Sequence, residues 1–278
     1  MNAINVSGNA ILIYGFHCGT EGVAIPTLVS RFVAAFIIIK LLLKDKWTLH
    51  LKRTFRFNPD WSMIRKILSV GIPNGLENSM FQLGKVLVLS LVSTFGTYAI
   101  AANAVSNVIT LFSILPGQAI CLAVTTVIAR CVGAGDYEQA KYYNKKLILL
   151  THIGMTITIF IVFITLPFIL KVYNLSEAAS EATRHIIWFH GCCAILIWAE
   201  SFTLPATFRA CGDAKACMII STVSMWIFRV GASYILGKNL GLGVFGVWVA
   251  MIIDWAFRSL LFGIRYFSGK WKKHALVS

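Results

Sequence analysis

Of the eleven Asp and Glu residues in this 278-residue chain, three lie inside long apolar runs: Glu77, Glu200 and Asp254. An ionisable group among apolar helices is costly to keep. It faces a partner or a cavity, and in a cavity it can hold a proton or a metal cation. Glu77 follows Pro73 by four residues, and Asn74, Glu77, Asn78, Phe81, Gln82 and Lys85 recur around it at helical spacing. That stripe must face protein or water, as the lining of a cavity would. The Glu77 carboxylate suits H+, or Na+ completed by amide and hydroxyl oxygens. The competing reading is a salt bridge to Lys85 or another cation that only orients the helix. Glu200 sits in WAESFTLPATFR with Thr203 and Thr207 three and seven residues on; cation coupling and an interhelical hydrogen bond fit it equally. Asp254 and Arg258 are four apart, which suits a structural ion pair within one helix. Asn103 and Asn107, also four apart and set among small alanines, suit interhelical amide bonds or a cavity wall.

These residues need a particular kind of scaffold. Hydrophobic residues make up 58% of the chain and charged residues 13%, about half the charged share of an ordinary soluble domain. A soluble fold of this size could not hide so much apolar surface. The chain is therefore expected to be an all-α polytopic membrane protein. Eight apolar segments are separated by short polar loops, at 3–15, 22–43, 67–94, 98–129, 147–170, 185–208, 216–236 and 244–267. All but the first reach the ~20 residues needed to cross hydrocarbon; the first reads as a helix cut short. The seven cysteines form no CxxC pair, and no His/Cys cluster has zinc-ligand spacing. GAGDYEQAKYYNKK (133–146) lacks the GK[ST] of a phosphate loop and reads as a helix C-cap followed by an amphipathic connector. No nucleophile–base constellation can be assembled, so neither an enzyme nor a resident cofactor is expected.

The net charge of +14 has a topological reading. Seventeen Lys and Arg fall in the loops after the second, fourth and sixth segments and in the C-terminal tail, against three on the opposite side. Basic loops stay in the cytoplasm, so the C-terminus is expected there, and a nucleic-acid partner is not expected. The chain also repeats itself. Shifted by 224, residues 19–50 meet 243–274 with six identities, including Gly22/Gly246, Lys46-Trp47/Lys270-Trp271 and His50/His274, against roughly two expected from average composition. Six crossings separate the copies, so the repeat is parallel. It predicts one complete six-helix lobe (67–278), a cytoplasmic linker (51–66), and the last two helices (1–50, one cut short) of a preceding lobe that is otherwise missing.

GIPNGLENSMFQLGK (71–85), AIAANAVSNVITLFSILPGQA (99–119) with VGAGDYEQAK (132–141), FRACGDAK (208–215), GVWVAMIIDWAFR (246–258), and NAILIYG (9–15) with GVAIPTLVSR (22–31) together resemble multidrug and toxic compound extrusion (MATE) transporters. The resemblance covers essentially the whole chain. It implies twelve helices in two six-helix lobes and a multi-pass protein of the bacterial-type plasma membrane. It also implies export of amphipathic, drug-like, often cationic small molecules driven by Na+ or H+. In that setting Glu77 and Glu200 are the expected coupling residues. Asn74, Asn78, Phe81, Gln82, Lys85, Asn103, Asn107 and Thr203 are the expected cavity wall. Two alternatives stay open. One is a lipid-linked oligosaccharide flippase of the same superfamily, for which Lys85 and Arg229 would suit a pyrophosphate. The other is a non-transporting membrane partner or fragment.

Overall fold

The computed structural model describes residues 1–44, 59–269 and 271, and among these it contains helices and no strand. The linker residues 45–58, the tail cations beyond Arg265, and the Lys46-Trp47 and His50 half of the repeat lie outside the described residues or lack a described counterpart. The chain divides into two units, one ending at Pro59 and one beginning at Asp60.

In the first unit, α1 (Asn2–Ala10) runs into a π-helical stretch (Ile11–Gly15), and α2 (Glu21–Leu42) packs back on it. Asn5 donates from Nδ2 to Thr27 Oγ1 at 2.9 Å. The second unit holds α3 (Trp61–Ser93), α4 (Thr97–Gly133), α5 (Tyr137–Tyr173), α6 (Glu177–Ala210), α7 (Ala214–Ser224) and α8 (Gly243–Phe267). Between α7 and α8 lie two π-helical stretches, Met225–Gly231 and Tyr234–Asn239.

Among the described residues, six stretches are long and apolar enough to cross a membrane: α2, α4, α5, α6, the run Ala214–Asn239, and α8. Seven were expected. The missing one is α3, which at 33 residues has the length but carries Asn74, Glu77, Asn78, Gln82 and Lys85 in its second half. The helices also extend past the expected ends. α4 and α5 have 37 residues each, about 55 Å at 1.5 Å per residue, so their ends project beyond a hydrocarbon layer of about 30 Å. The expected connector at 133–146 is accordingly a sharp corner followed by helix. Gly135 takes a φ of +76°, Asp136 accepts from the Gln139 backbone N–H at 2.9 Å, and α5 starts at Tyr137. Part of the presumed linker is helical too. Asp60 caps α3 through the backbone N–H groups of Ser62 and Met63, placing 61–66 in that helix.

α4 and α6 form the middle of the second unit. α5 packs on both, α8 packs on α6, and α7 packs on α3. Without a hydrophobic drive between helices in lipid, close approach and buried hydrogen bonds hold such a bundle. Trp198 of α6 presses on Gly117 of α4, where an added Cβ would stand 2.3 Å from the indole. Trp248 Nε1 donates to Asn103 Oδ1 at 3.1 Å, joining α8 to α4. Thr207 Oγ1 donates to Asn144 Oδ1 at 2.6 Å, joining α6 to α5.

The internal repeat has a backbone counterpart. Each copy places a π-helical stretch just before its last long helix: Ile11–Gly15 before α2, and Tyr234–Asn239 before α8. The paired glycines sit against those stretches. A Cβ on Gly22 would meet Ile13 at 3.3 Å and Leu12 at 3.5 Å, and one on Gly246 would lie 2.8 Å from the Leu236 carbonyl carbon. Backbone cannot yield as a side chain can. Gly246→Ala is therefore expected to lower stability by about 1–3 kcal/mol, read as a lower melting temperature in detergent. Gly263→Ala, where nothing lies within 4 Å of the added Cβ, is expected to melt as the parent does.

Candidate functional site

The polar stripe on α3 is two faces. Successive residues on a helix are turned by about 100°, so Glu77 and Asn78 cannot point the same way. Glu77, Phe81 and Gly84, at i, i+4 and i+7, face the interior of the second unit; Asn78, Gln82 and Lys85, with the same spacing, are exposed. Asn74 is half-buried, and its carbonyl accepts from Asn78 Nδ2 at 2.9 Å. The side chains expected to line a cavity therefore separate into a buried acidic face and an exposed amide and lysine face.

Glu77 is 6% exposed, and its Oε2 accepts from Arg209 Nη1 at 3.1 Å. Arg209 stands in the last turn of α6, at the end the sequence assigns to the cytoplasmic side. The carboxylate is thus held by a base. The cation proposed as a helix-orienting partner is Arg209; Lys85 is on the other face. A Na+ ion at Glu77 would have to share the carboxylate with that guanidinium or displace it. Among the described residues no three His, Cys, Asp or Glu side chains converge to help hold one.

Arg258 of α8 lies deeper, 3% exposed. Its guanidinium packs over the rings of Phe202 at 4.7 Å, Phe81 at 5.2 Å and Phe262 at 5.9 Å. Nη2 donates to the Ser201 carbonyl at 3.3 Å, while Nε and Nη1 have no hydrogen-bond partner. The expected Asp254–Arg258 ion pair does not form. Ser224 Oγ donates to Asp254 Oδ1 at 2.5 Å, drawing the carboxylate toward α7, while three aromatic faces take the guanidinium. Phe81 is therefore part of the Arg258 cage. Thr203 is fully buried with its Oγ1 3.6 Å from Cys121 Sγ, and Asn103 is occupied by Trp248. Those two hold helices together. Asn107 is exposed and donates from Nδ2 to its own helix at the Asn103 carbonyl, 2.7 Å away.

Glu200 is half-buried between α5 and α6. Its Oε1 lies 2.9 Å from His152 Nε2, and its Oε2 is buried without a partner. The other ring nitrogen, Nδ1, lies 2.8 Å from the Ile195 carbonyl. This contact sits along the same antiparallel seam as Asn144–Thr207, about two turns away. Sequence reasoning missed both basic partners. The apolar run ends at 208 and leaves Arg209 among the loop charges, whereas α6 extends to Ala210. His152, in LILLTHIGMT, was passed over among apolar residues although any ionisable group at that depth is a signal. A separate groove of about 990 Å3 opens where the start of α3 meets the start of α7, and its wall includes Arg65, Lys66 and Lys215.

Comparison with known proteins places this arrangement. Residues 73–235 match the MatE family. A protein named probable multidrug resistance protein NorM from Thermotoga maritima is 27% identical over 282 residues, covering 100% of this chain and 60% of the relative. Probable multidrug resistance protein YoeA from Bacillus subtilis is 25% identical, covering 99% and 60%. A solved structure described as an outward-facing conformation of a multidrug resistance MATE family transporter superposes with a TM-score of 0.87 at 20% identity, covering 98% of this chain and 61% of that one. A transporter of the MOP superfamily from Pyrococcus furiosus, described as having a binding pocket of reverse polarity, superposes with a TM-score of 0.86 at 20% identity, covering 96% and 60%. The chain spans about 60% of the length of the relatives it matches. With the family matched across more than half of its residues and the fold shared nearly end to end, the chain belongs to the MatE family of membrane transporters.

Proposed function

We propose that this chain is the larger part of a secondary active multidrug efflux antiporter. The complete transporter exports amphipathic, cationic compounds in exchange for Na+ or H+ by alternating access. The six-helix lobe from α3 onward works against a second lobe, of which residues 1–50 supply the last two helices, and the linker expected at 51–66, whose last six residues belong to α3, joins the two. The protein lies in a bacterial-type plasma membrane with its C-terminus in the cytoplasm, as the basic loops favour.

The observation that carries this reading is the Glu77–Arg209 pair beside an exposed polar face on the same helix. Asn78, Gln82 and Lys85 project from a helix otherwise rich in Leu and Val, and at membrane depth such side chains require water or protein. That face is the proposed wall of the central cavity. On the adjoining face of the helix, about 100° round from Asn78, Glu77 is neutralised by a base that can be exchanged. A proton or metal cation competes with Arg209 for the carboxylate, and a cationic drug competes with both. A ligand shifts a conformational equilibrium only by binding one state better than the other. Releasing the α6 end from α3 supplies that difference, because Arg209 ties the two helices together only while Glu77 is ionised and unoccupied. Names given to the relatives in Thermotoga maritima and Bacillus subtilis, probable multidrug resistance proteins, support this substrate class.

A lipid-linked oligosaccharide flippase is the second reading, favoured by the exposed Lys85 on the cavity face. In that case the pyrophosphate, and not a drug cation, would meet that face.

Two outcomes test the proposal. Glu77→Gln in the complete transporter keeps the side chain's shape and its acceptor for Arg209, so the protein is expected to fold. Drug export driven by an ion gradient in proteoliposomes is expected to fall by about tenfold or more, within the range of typical coupling energies; export at the parent's rate would end the assignment. Single cysteines at Asn78, Gln82 and Lys85 are expected to react with a membrane-impermeant thiol reagent, with cationic drug slowing the reaction. Protection by a pyrophosphate-bearing lipid in place of the drug would select the flippase.

A further inference from the structure

The groove where the start of α3 meets the start of α7 has walls of two kinds. Arg65 and Lys66 of α3 and Lys215 of α7 stand along it, all three exposed. Farther along α3 the walls are apolar and are formed by Leu68, Ile72 and Pro73. A helix rises 1.5 Å per residue, so about 10 Å separates Arg65 from Ile72. The apolar run of α3 begins at 67, directly after the two cations. Those cations therefore stand at the edge of the hydrocarbon layer, and the apolar walls lie within it. Trp61, 74% exposed, stands one turn before Arg65 on the same wall. Its ring is of the kind that settles at headgroup level.

The three cations have no anion of their own. Among the described residues none of them lies within 4 Å of a carboxylate. Acids on the adjoining elements are engaged elsewhere. Asp60 accepts from the Ser62 and Met63 backbone N–H groups, Glu77 holds Arg209, and Asp213 accepts from Arg265 Nε at 2.6 Å. α7 itself contains no Asp or Glu. We propose that this groove binds an anionic phospholipid. Its phosphodiester meets Arg65, Lys66 and Lys215, and an acyl chain lies along Leu68, Ile72 and Pro73.

A guanidinium and two ammonium groups suit the oxygens of a phosphate. A free phosphate would use the cations and leave the apolar walls bare, whereas a lipid covers both. A zwitterionic lipid would bring an ammonium of its own toward three cations; an anionic lipid brings none. Because Arg65 and Lys66 come from α3 and Lys215 from α7, one headgroup bridges the starts of two helices. Glu77 lies twelve residues beyond Arg65, about 18 Å along α3. The lipid site is thus separate from the carboxylate site, and it does not depend on which compound or coupling ion the transporter moves.

The test measures lipid binding to the full chain, purified in a neutral detergent, by native mass spectrometry. Phosphatidylglycerol is expected to bind more tightly than phosphatidylcholine, and added salt to weaken it. Arg65→Gln and Lys215→Gln are each expected to weaken phosphatidylglycerol about fivefold, and the triple variant Arg65→Gln, Lys66→Gln, Lys215→Gln about a hundredfold, as fits a Lys or Arg near an anionic lipid surface. Arg65→Lys, which keeps the charge, is expected to retain most of the affinity. The double variant Lys145→Gln, Lys146→Gln removes two equally exposed charges from α5 and is expected to bind as the parent does. Glycerol 3-phosphate, which has the phosphate without the chains, is expected not to displace the lipid at equal concentration. Equal binding of the two lipids by the parent would overturn the proposal. So would an unchanged affinity in the triple variant, an equal loss in the α5 variant, or displacement by glycerol 3-phosphate. A loss with Arg65→Gln but none with Lys215→Gln would overturn the bridge between α3 and α7.

Discussion

A charged group in the hydrocarbon layer must be paired, neutralised or wetted. Each acid at depth in this chain meets that demand differently. Glu77 is paired with Arg209, Asp254 is hydrogen-bonded by Ser224, and Glu200 meets an imidazole. The differences have consequences for function. A guanidinium stays protonated through the physiological range, so the Glu77 pair can be broken only by a competing cation or by protonation of the carboxylate itself. One lobe thus contains two carboxylates met by two different bases.

The rest of the bundle serves to keep these groups in register. Large side chains seated on glycines, such as Trp198 on Gly117, bring α4 and α6 close enough that polar contacts to α5 and α8 are made at hydrogen-bond distance. The same device recurs in both copies of the internal repeat, where Gly22 and Gly246 let the last long helix sit tightly on the π-helical stretch before it. A repeat that preserves a backbone irregularity as well as side chains favours a common ancestral helix pair over chance similarity of composition.

Much of the architecture is legible in the sequence because the bilayer imposes a strong length and composition rule. The eight apolar runs correspond to the observed helices, and the resemblance carried by GIPNGLENSMFQLGK and its companions points to the right family. Helix ends were harder to read. Hydropathy marks where lipid ends and not where the helix ends, so α5 begins ten residues before its apolar run and Arg209 lies in helix just past the end of the apolar run of α6. The site was legible only in part. Spacing identified Glu77 and placed Asp254 four residues from Arg258, but spacing within one helix says nothing of what neighbouring helices offer. Ser224 and three phenylalanine rings separated that pair, and Trp248 and Cys121 claimed Asn103 and Thr203. Partners contributed from distant sequence, Arg209 for Glu77 and His152 for Glu200, emerge only when the helices are packed.

The central claim is that the contact between the middle of α3 and the end of α6 must open during each transport cycle. A reversible crosslink tests it most directly. Cysteines replacing Glu77 and Arg209 would abolish the ion pair, so the lock belongs one turn away, between positions on α3 and α6 that flank it, in the complete transporter with the native cysteines replaced. Oxidation is predicted to stop drug export in proteoliposomes and reduction to restore it. Undiminished export by the fully crosslinked protein would contradict the account.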